Sequence, residues 1–538
     1  MTISTWQEKA SAKRTEADAK IPSEWRLSAD ILEKVHDERG SVLDIPASCG
    51  LLSEAEILIT EIADATALRD KLASRQLSAI DVATAFCKRA AIAQQITSCL
   101  TETMFPQALA RAKELDDYFQ THGKPFGPLH GVPISLKDSF NVKGVQSSLG
   151  FVSFLDNPPA TENSVLVDIL LKAGAVLYVK TNIPQTMMTA DSENNVFGRV
   201  LNPHSGSLTA GGSSGGEGAL VALRGSILGI GTDIAGSIRI PSLCCGTVGF
   251  KPSAGRVPYA GQTSPSRPGS PGFPAVAGPL CQSVRDAEML LRIVFDEPSD
   301  DMDDMTLGFP WMEPTKSDRL TIGVLPEDAR VPLHPNMQRT LKTAVQKLED
   351  AGHKIVDLSD QVSFLASAAQ VAFRFFLLDP DQTAIQHISR SGEPFIESLN
   401  VTYKLDQPKG PEPTLREIFE LNQAKLEIMA QMRRLYLNNK LDAIIGPGYQ
   451  GTAVPHDTYG LPVYTVIANL VDSPACIIPF GRSNEAADAA FIRDVEYEPP
   501  YLPKEVENMP CHVQLVGRRQ KDESLLHHAK IVEAILAE

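Results

Sequence analysis

The chain has 538 residues, of which 50 are Lys or Arg and 66 are Asp or Glu, so its formal net charge is −16. This acidic balance, without a cluster of Lys and Arg, argues against nucleic acid and against an anionic membrane surface as partners. The sequence contains no stretch of 18 uninterrupted apolar residues, so no membrane span is predicted. Its first residues do not form a basic segment followed by an apolar one, so no signal peptide is predicted. Eight cysteines that never form a C-x-x-C pair are typical of reduced thiols. We therefore expect a cytoplasmic protein.

The first hundred residues are predicted to be helical. Glu24–Glu38 is expected to form one helix, and Ser53 with Glu56 three residues later is a capping-box pattern at the start of another. After Ser78, apolar residues again recur at helical spacing. We assign residues 1–64 to an N-terminal helical extension.

From about Leu129 the pattern changes to short β-rich runs that alternate with helical ones. Residues 164–179 are typical of a helix, a glycine and a strand in that order, and residues 336–356 repeat it. Alternation of this kind indicates an α/β fold with a mixed or largely parallel sheet. No convincing linker occurs, so residues 65–538 are expected to form one domain. Two irregular stretches interrupt it, a Gly-, Pro- and Ser-rich loop at 251–278 and an acidic loop at 296–304 that is expected to be solvated.

The most unusual local feature is the glycine- and serine-rich block TAGGSSGGEGA at residues 209–219. Its five glycines allow backbone conformations and a close approach of substrate that other residues hinder. A flexible linker is one interpretation, but the apolar run that follows suits a packed helix. The segment 211–215 also matches G-x-S-x-G, the nucleophile elbow of α/β-hydrolases. That alternative requires a strand before Gly211, where the composition of 202–209 predicts a loop, and a histidine that reaches Ser213.

A second glycine-containing segment, Gly229–Ser242, follows about one helix later. Its tight Ile-Ala-Gly-Ser turn could direct successive backbone N–H groups at one point, as an oxyanion hole requires. Asp233 and Arg239 flank the turn with opposite charges that could fix it. Upstream, Lys137 ends a strand-like run. A lone lysine is usually a solvated surface group, so only the three segments together indicate a site.

These segments resemble the motifs of the amidase signature family of serine hydrolases: GVPISLKD at 131–138, GGSSGGEGA at 211–219 and GTDIAGSIR at 231–239. The spacing agrees with that family, with 76 residues from Lys137 to Ser213 and 24 from Ser213 to Ser237. The resemblance extends over roughly residues 65–520, and the opening of the chain is similar to fungal acetamidase-type members. It implies the amidase signature fold, a large mixed sheet covered by helices on both faces.

The resemblance also implies catalytic roles. Ser237 would be the acylated nucleophile, Ser213 a bridging serine that follows a cis peptide bond, and Lys137 the base. Lysine is a base only when neutral, so burial must lower its pKa well below the ordinary value. The oxyanion would be bound by backbone N–H groups of Ile234, Ala235, Gly236 and Ser237. Supporting roles would fall to Ser214, Asp233 and Arg239.

Three further features near these motifs need interpretation. Met187 and Met188 match the family loop beside the acyl pocket, although two ordinary core methionines would give the same pattern. Ala235 stands where the family commonly has glycine, so we expect the oxyanion turn to differ slightly in shape. Cys244 and Cys245 lie close behind Ser237, but buried cysteines usually only pack, and a thiol enzyme is therefore disfavoured.

The sequence thus predicts an amidase without cofactor or metal that converts a carboxylic amide to acid and ammonia through an acyl-enzyme. Short amides such as acetamide are the expected substrates, and fatty-acid or aryl amides stay open. Two other interpretations are the glutaminase subunit of an amidotransferase and a catalytically silent scaffold. The expected partner is a small-molecule amide; nucleic acid is not expected, and a homodimer is left open.

Overall fold

The computed structural model describes residues 5–38, 40–315, 317, 319–406 and 412–538. Within these ranges the strands are β1 (Leu100–Thr103), β2 (Pro133–Lys137), β3 (Val176–Thr181), β4 (Glu193–Asn194), β5 (Gly198–Arg199), β6 (Leu201–Asn202), β7 (Ser205–Thr209), β8 (Leu228–Asp233), β9 (Val248–Lys251), β10 (Val276–Cys281), β11 (Thr321–Val324), β12 (Lys354–Asp357), β13 (Ala443–Gly446), β14 (Ala475–Arg482) and β15 (Pro510–Val516).

The helices of the same ranges surround these strands along the chain. They are α1 (Trp6–Ala19), α2 (Ala29–Glu38), α3 (Ile45–Ser48), α4 (Glu54–Thr60), α5 (Ala65–Ala73), α6 (Ala79–Thr97), α7 (Phe105–His122), α8 (Val165–Lys172), α9 (Gly215–Ala222), α10 (Arg239–Cys245), α11 (Val284–Phe295), α12 (Pro335–Asp350), α13 (Leu365–Phe376), α14 (Thr383–Ser391), α15 (Leu399–Tyr403), α16 (Leu415–Asn439), α17 (Val463–Leu470), α18 (Glu485–Asp488) and α19 (Asp522–Ala537). No helix in the described part of the chain is long and apolar enough to cross a membrane.

An 11-stranded sheet forms the centre of the molecule, in the order β1-β3-β2-β8-β10-β9-β14-β15-β13-β11-β12. Strand β2 is parallel to β3 and β8, and β11 is parallel to β12 and β13, whereas β8, β9, β10, β14 and β15 pair with one another antiparallel. The predicted α/β class with a mixed sheet is therefore confirmed.

The parallel pair β2 and β8 determines where chemistry can occur. Ser135 lies opposite Gly229 and Leu136 opposite Ile230, so both strands end at the same edge of the sheet. Loops that follow the carboxyl ends of parallel strands form the usual ligand crevice of such sheets. Lys137 is the last residue of β2 and Asp233 the last of β8.

Several predicted helix starts are confirmed by their caps. Ser53 and Glu56 form the capping box of α4, and Ser78 accepts the backbone N–H of Asp81 at the start of α6. The single helix predicted over 24–38 is wrong, because a 3₁₀ turn at Ser23–Trp25 is separated from α2. In the gap, buried Leu27 donates its N–H to Gln95 Oε1 of α6, so the chain docks on α6 and does not continue the helix.

The two irregular stretches have different structures. Residues 252–275 connect β9 to β10 without a helix or strand, as predicted for the 251–278 loop except at its ends. The acidic stretch 296–304 is not fully solvated, which corrects that part of the prediction. Asp303 is buried, because its carboxylate accepts the N–H groups of Tyr259, Ala260 and Met305.

Candidate active site

The glycine- and serine-rich block forms a strand, a turn and a helix. The loop predicted at 202–209 is wrong: Ser205–Thr209 is β7, which pairs with β6, and Leu208 forms a bridge to Pro455. These backbone partners support a strand that the polar composition conceals. Residues 208–221 are all buried, which excludes a flexible linker. Although a strand precedes Gly211, no histidine in the described ranges hydrogen-bonds the Ser213 hydroxyl, so the nucleophile-elbow alternative fails.

Lys137 lies beneath this turn and contacts Ser213. Its Nζ donates to Ser213 Oγ at 2.7 Å and to Thr232 Oγ1 at 2.8 Å. The side chain is completely buried, and this burial lowers the pKa of Lys137 to about 7, against the opposing charges of Asp233 and Glu217. An amine with this pKa is partly neutral at physiological pH and can accept a proton. The Gly212–Ser213 peptide bond is cis.

The turn after β8 depends on one glycine. Gly236 has φ +128°, and a Cβ at this position would lie 2.3 Å from Thr465 Oγ1, so a side chain fits neither the backbone nor the space. Ala235 has a negative φ, and its carbonyl accepts the Thr465 hydroxyl at 2.7 Å. Alanine at position 235 therefore needs no unusual backbone conformation.

A buried ion pair holds the turn from below. The Asp233 carboxylate accepts the N–H groups of Gly236 at 2.8 Å and Ile238 at 3.2 Å, and it pairs with Arg239 at 3.0 Å. Burial alone would raise the pKa of Asp233, but the Arg239 charge and hydrogen bonds lower it to about 2. Arg239 uses its other donors on α17 and β15, on the Thr465 carbonyl and on the side chains of Asn469 and Gln514.

The backbone donors of the turn are not equivalent. Because the Gly236 N–H is bound to Asp233, its predicted part in the oxyanion hole does not fit this arrangement. The N–H groups of Ile234, Ala235 and Ser237 have no acceptor among the residues that the structure describes. Ser214 fixes the backbone of Ser237, since its N–H donates to the Ser237 carbonyl at 3.2 Å.

Ser237 faces a small, partly open cavity. The cavity measures about 40 Å³ and is mainly apolar, with a lining that includes Gly212, Ile234, Ala235, Ser237, Met187, Met188, Phe373, Ser398, Val401, Asp457, Tyr459 and Pro462. A water molecule needs roughly 10–15 Å³ on this measure, so the space suits about three water molecules or one small organic group. The structure therefore brings both methionines and part of the predicted oxyanion turn to one space with Ser237.

Some residues of the site were not predicted from the sequence. Thr232, which lies within the GTDIAGSIR motif, accepts a hydrogen bond from Lys137. Its polar side chain in a buried strand was the feature from which its role could have been predicted. Phe373 and Asp457 reach the cavity from segments more than 130 residues away along the chain from Ser237, and no local pattern connects them to it.

Thiol and metal chemistry find no support in the described residues. Cys244 and Cys245 are buried, and burial raises the pKa of both thiols far above the ordinary value, which disfavours the nucleophilic thiolate. No group of three or more His, Cys, Asp or Glu side chains within the described ranges could hold a metal ion.

Comparison with known proteins identifies the family of the chain. A family model described as Amidase matches residues 81–526. The chain belongs to the amidase family. It is 38% identical to an amidase of Gibberella moniliformis over 98% of both chains, and 36% identical to an acetamidase of Emericella nidulans over 99% of this chain and 98% of that one. A solved fatty acid amide hydrolase superposes with a TM-score of 0.92 and 31% identity, covering 99% of this chain and 95% of that one. The predicted fold and the amide-hydrolysing activity are thereby confirmed.

Proposed function

We propose that this amidase hydrolyses short-chain amides through an acyl-enzyme on Ser237, with Ser213 as the bridging serine and Lys137 as the base. The observation that carries the proposal is the 2.7 Å contact between buried Lys137 and Ser213, next to the cavity that Ser237 lines. A serine hydroxyl is a weak nucleophile until a base accepts its proton, and a lysine with a pKa of about 7 is such a base.

The reaction then has two stages. Ser237 Oγ attacks the amide carbon while its proton passes through Ser213 to neutral Lys137. The negative oxygen of the tetrahedral intermediate is bound by the free N–H groups of Ile234, Ala235 and Ser237. The proton returns through Ser213 to the amide nitrogen, the C–N bond breaks and ammonia leaves. Water then attacks the acyl-enzyme with the same proton route, which releases the acid and regenerates Ser237.

The size of the cavity favours a short acyl chain. A space of about 40 Å³ accommodates an acetyl-sized group, whereas a long hydrocarbon chain would have to extend into the neighbouring space that Met188 and Ile234 also line. Two acetamidases, of Emericella nidulans and Aspergillus oryzae, are 36% and 35% identical to the chain over nearly its whole length. Both considerations favour short amides over fatty-acid or aryl amides.

The proposal is tested by intact-mass analysis with a fluorophosphonate and by ammonia release from a panel of amides. We expect one adduct on the wild type, none on Ser237→Ala, and ammonia from acetamide at a higher kcat/KM than from long-chain amides. Ser242→Ala, which changes a buried serine of α10 behind the turn, is the matched control and should retain the adduct. An adduct that survives Ser237→Ala would refute the nucleophile assignment.

The same panel distinguishes the alternative functions. Ammonia released from glutamine in preference to acetamide would favour the glutaminase subunit of an amidotransferase. If the wild type formed no adduct and released no ammonia, the catalytic proposal would be contradicted altogether.

We also propose a cytoplasmic location. All eight cysteines are free thiols in the described structure, and all but Cys49 are buried. Such thiols suit a reducing compartment. Cell fractionation checks this proposal, and recovery of the protein from a secreted fraction would contradict it.

A further inference from the structure

The cavity beside Ser237 contains buried polar atoms that lack protein partners. Three of its lining residues have such an atom: Asp457 Oδ1, Ser398 Oγ and Tyr459 OH have no hydrogen-bond partner among the described residues. Buried polar atoms are nearly always paired in folded proteins. Hydroxyls can rotate to adapt, but a carboxylate oxygen only accepts, and leaving it unpaired is the costliest of the three cases. Asp457 therefore needs an explanation.

Asp457 is held rigidly at the wall of this cavity. Its Oδ2 accepts from Arg199 Nη2 at 2.7 Å, and its backbone N–H donates to Asp191 Oδ2 at 2.9 Å. Its φ of +63° lies in the left-handed region, which aspartate tolerates better than most residues. Arg199 is fixed in turn by Asp191 at 2.8 Å and by Glu193. One carboxylate oxygen is thus anchored, and the other is left for a donor that none of the described residues supplies.

We propose that Asp457 is a specificity-determining residue whose Oδ1 accepts a hydrogen bond from the carboxamide nitrogen of the substrate. This inference rests on the proposed function, because it concerns the substrate in the Ser237 cavity. A primary amide presents two N–H donors, whereas an ester of the same acyl group presents none. The contact strengthens when the nitrogen receives its proton and leaves as ammonia, because a hydrogen bond between two charged groups is stronger than one between neutral groups. Asp457 therefore favours amides in the transition state as well as in binding.

The test compares acetamide with methyl acetate, which share the acyl group and differ in the N–H donors. In Asp457→Asn the carboxamide keeps one oxygen for Arg199 and turns a donor toward the cavity. We expect kcat/KM for acetamide to fall about 10–100-fold, as for a lost hydrogen bond to a charged group, while methyl acetate hydrolysis changes less than about threefold. The rate of fluorophosphonate labelling of Ser237 should be unchanged, since that reagent has no N–H.

Glu193→Gln is the matched control, because Glu193 contacts the same Arg199 but does not line the cavity. Both substrates should retain their rates in this variant, because Arg199 keeps its contacts with Asp191 and Asp457. An equal loss for amide and ester in Asp457→Asn, or no loss for either, would refute the role of Asp457 while leaving Ser237 catalysis intact. A wild type that neither reacts with the fluorophosphonate nor hydrolyses either substrate would overturn the proposed function and this inference together.

Discussion

Lys137 ends β2 in a fully buried position, where its Nζ donates to the hydroxyls of Ser213 and Thr232 and to none of the described carboxylates. Removal from water disfavours the ammonium form, so the pKa of Lys137 is lowered to about 7. Two carboxyl groups, those of Asp233 and Glu217, act in the opposite direction, because their negative charges raise the pKa of Lys137. Glu217 is itself buried, and this burial raises its pKa to about 8, with Ser135 and Thr181 donating to its two oxygens. The environment thus poises one amine for proton transfer near neutral pH.

A pH profile follows from this arrangement. Only neutral Lys137 can accept the proton, so kcat/KM for a short amide should rise with pH through an apparent pKa of about 7 and level off above it. Lys137→Ala should lower kcat/KM by about 10²–10⁴-fold, the usual contribution of a general base. Steady-state rates from pH 5.5 to 9 measure both effects.

Glu217→Gln is the informative control for that profile. Because the negative form of Glu217 raises the Lys137 pKa, its removal should move the acid limb to lower pH or leave it in place. An acid limb centred near pH 4, where ordinary carboxyl groups titrate, would contradict the lysine assignment. A limb that moves to higher pH in Glu217→Gln would contradict the electrostatic explanation.

At this scale, the sequence predicted a set of residues that the structure brings close together, but it did not predict all the residues around them. The motifs indicated Lys137, Ser213 and Ser237 through their resemblance, in sequence and in spacing, to those of the amidase signature family. They did not mark Asp457, whose importance comes from a free carboxylate oxygen in a cavity. Which atom stays unpaired depends on the tertiary contacts, and no spacing in the sequence encodes it.

The turn between β8 and α10 shows what one element requires of its sequence. Gly236→Ala would introduce a Cβ where φ is +128° and Thr465 Oγ1 is 2.3 Å away, so the turn must shift. The free N–H groups of Ile234, Ala235 and Ser237 shift with it. We expect kcat to fall by about 10²-fold or more, as on loss of an oxyanion donor, together with a lower Tm.

Ala235→Gly tests the neighbouring position with the smallest change. Ala235 already has a negative φ, so glycine adds only conformational freedom and should cost roughly 0.5–1 kcal/mol of stability. Its kcat should stay within about threefold of the wild type. A Gly236→Ala variant as active as Ala235→Gly would show that the turn does not position the oxyanion donors.

Prediction of whole elements succeeded where the signal was local. Helix α6 was found because Ser78 caps it and apolar residues follow at helical spacing. Strand β7 was missed because its residues, Ser205–Thr209, are polar and glycine-containing, and its stability comes from pairing with β6. The predicted helix over 24–38 failed for a related reason, since contact of Leu27 with α6 interrupts it. In both cases contacts with another segment override the local propensity.

At the scale of the whole molecule, the two ends of the chain share one hydrophobic core. Trp25 and Ile59 from the N-terminal helices belong to it, as do Leu526 and Val532 from α19. Asp64, at the predicted boundary, receives two hydrogen bonds from Arg285 of α11. The division into 1–64 and 65–538 stays a prediction about topology, and these contacts favour unfolding of both parts together.

The burial that suits Lys137 to its proposed role as the base should also reduce the stability of the whole fold. The unfolded chain binds the lysine proton with the ordinary pKa of ~10.4, whereas the folded chain binds it with a pKa of about 7. The full free-energy cost of burying the ammonium therefore applies below pH 7, and this cost decreases as the pH rises toward 10. Lys137→Met removes this cost and should stabilise the protein at pH 6 by roughly 1–4 kcal/mol, as in other exchanges of buried charges for apolar groups.

Thermal unfolding of wild type and Lys137→Met between pH 6 and pH 9.5 measures this effect. The Tm difference should be largest at pH 6 and shrink toward pH 9.5, because only the charged lysine is costly to bury. Thr232→Val is the control, since it removes the second hydrogen bond of Lys137 Nζ without removing the titrating group. A Tm difference that stays constant with pH would mean that packing, and not charge, distinguishes Met from Lys. Any pH dependence of Tm that the two proteins share would then have to come from other buried groups, such as Glu217 with its pKa of about 8.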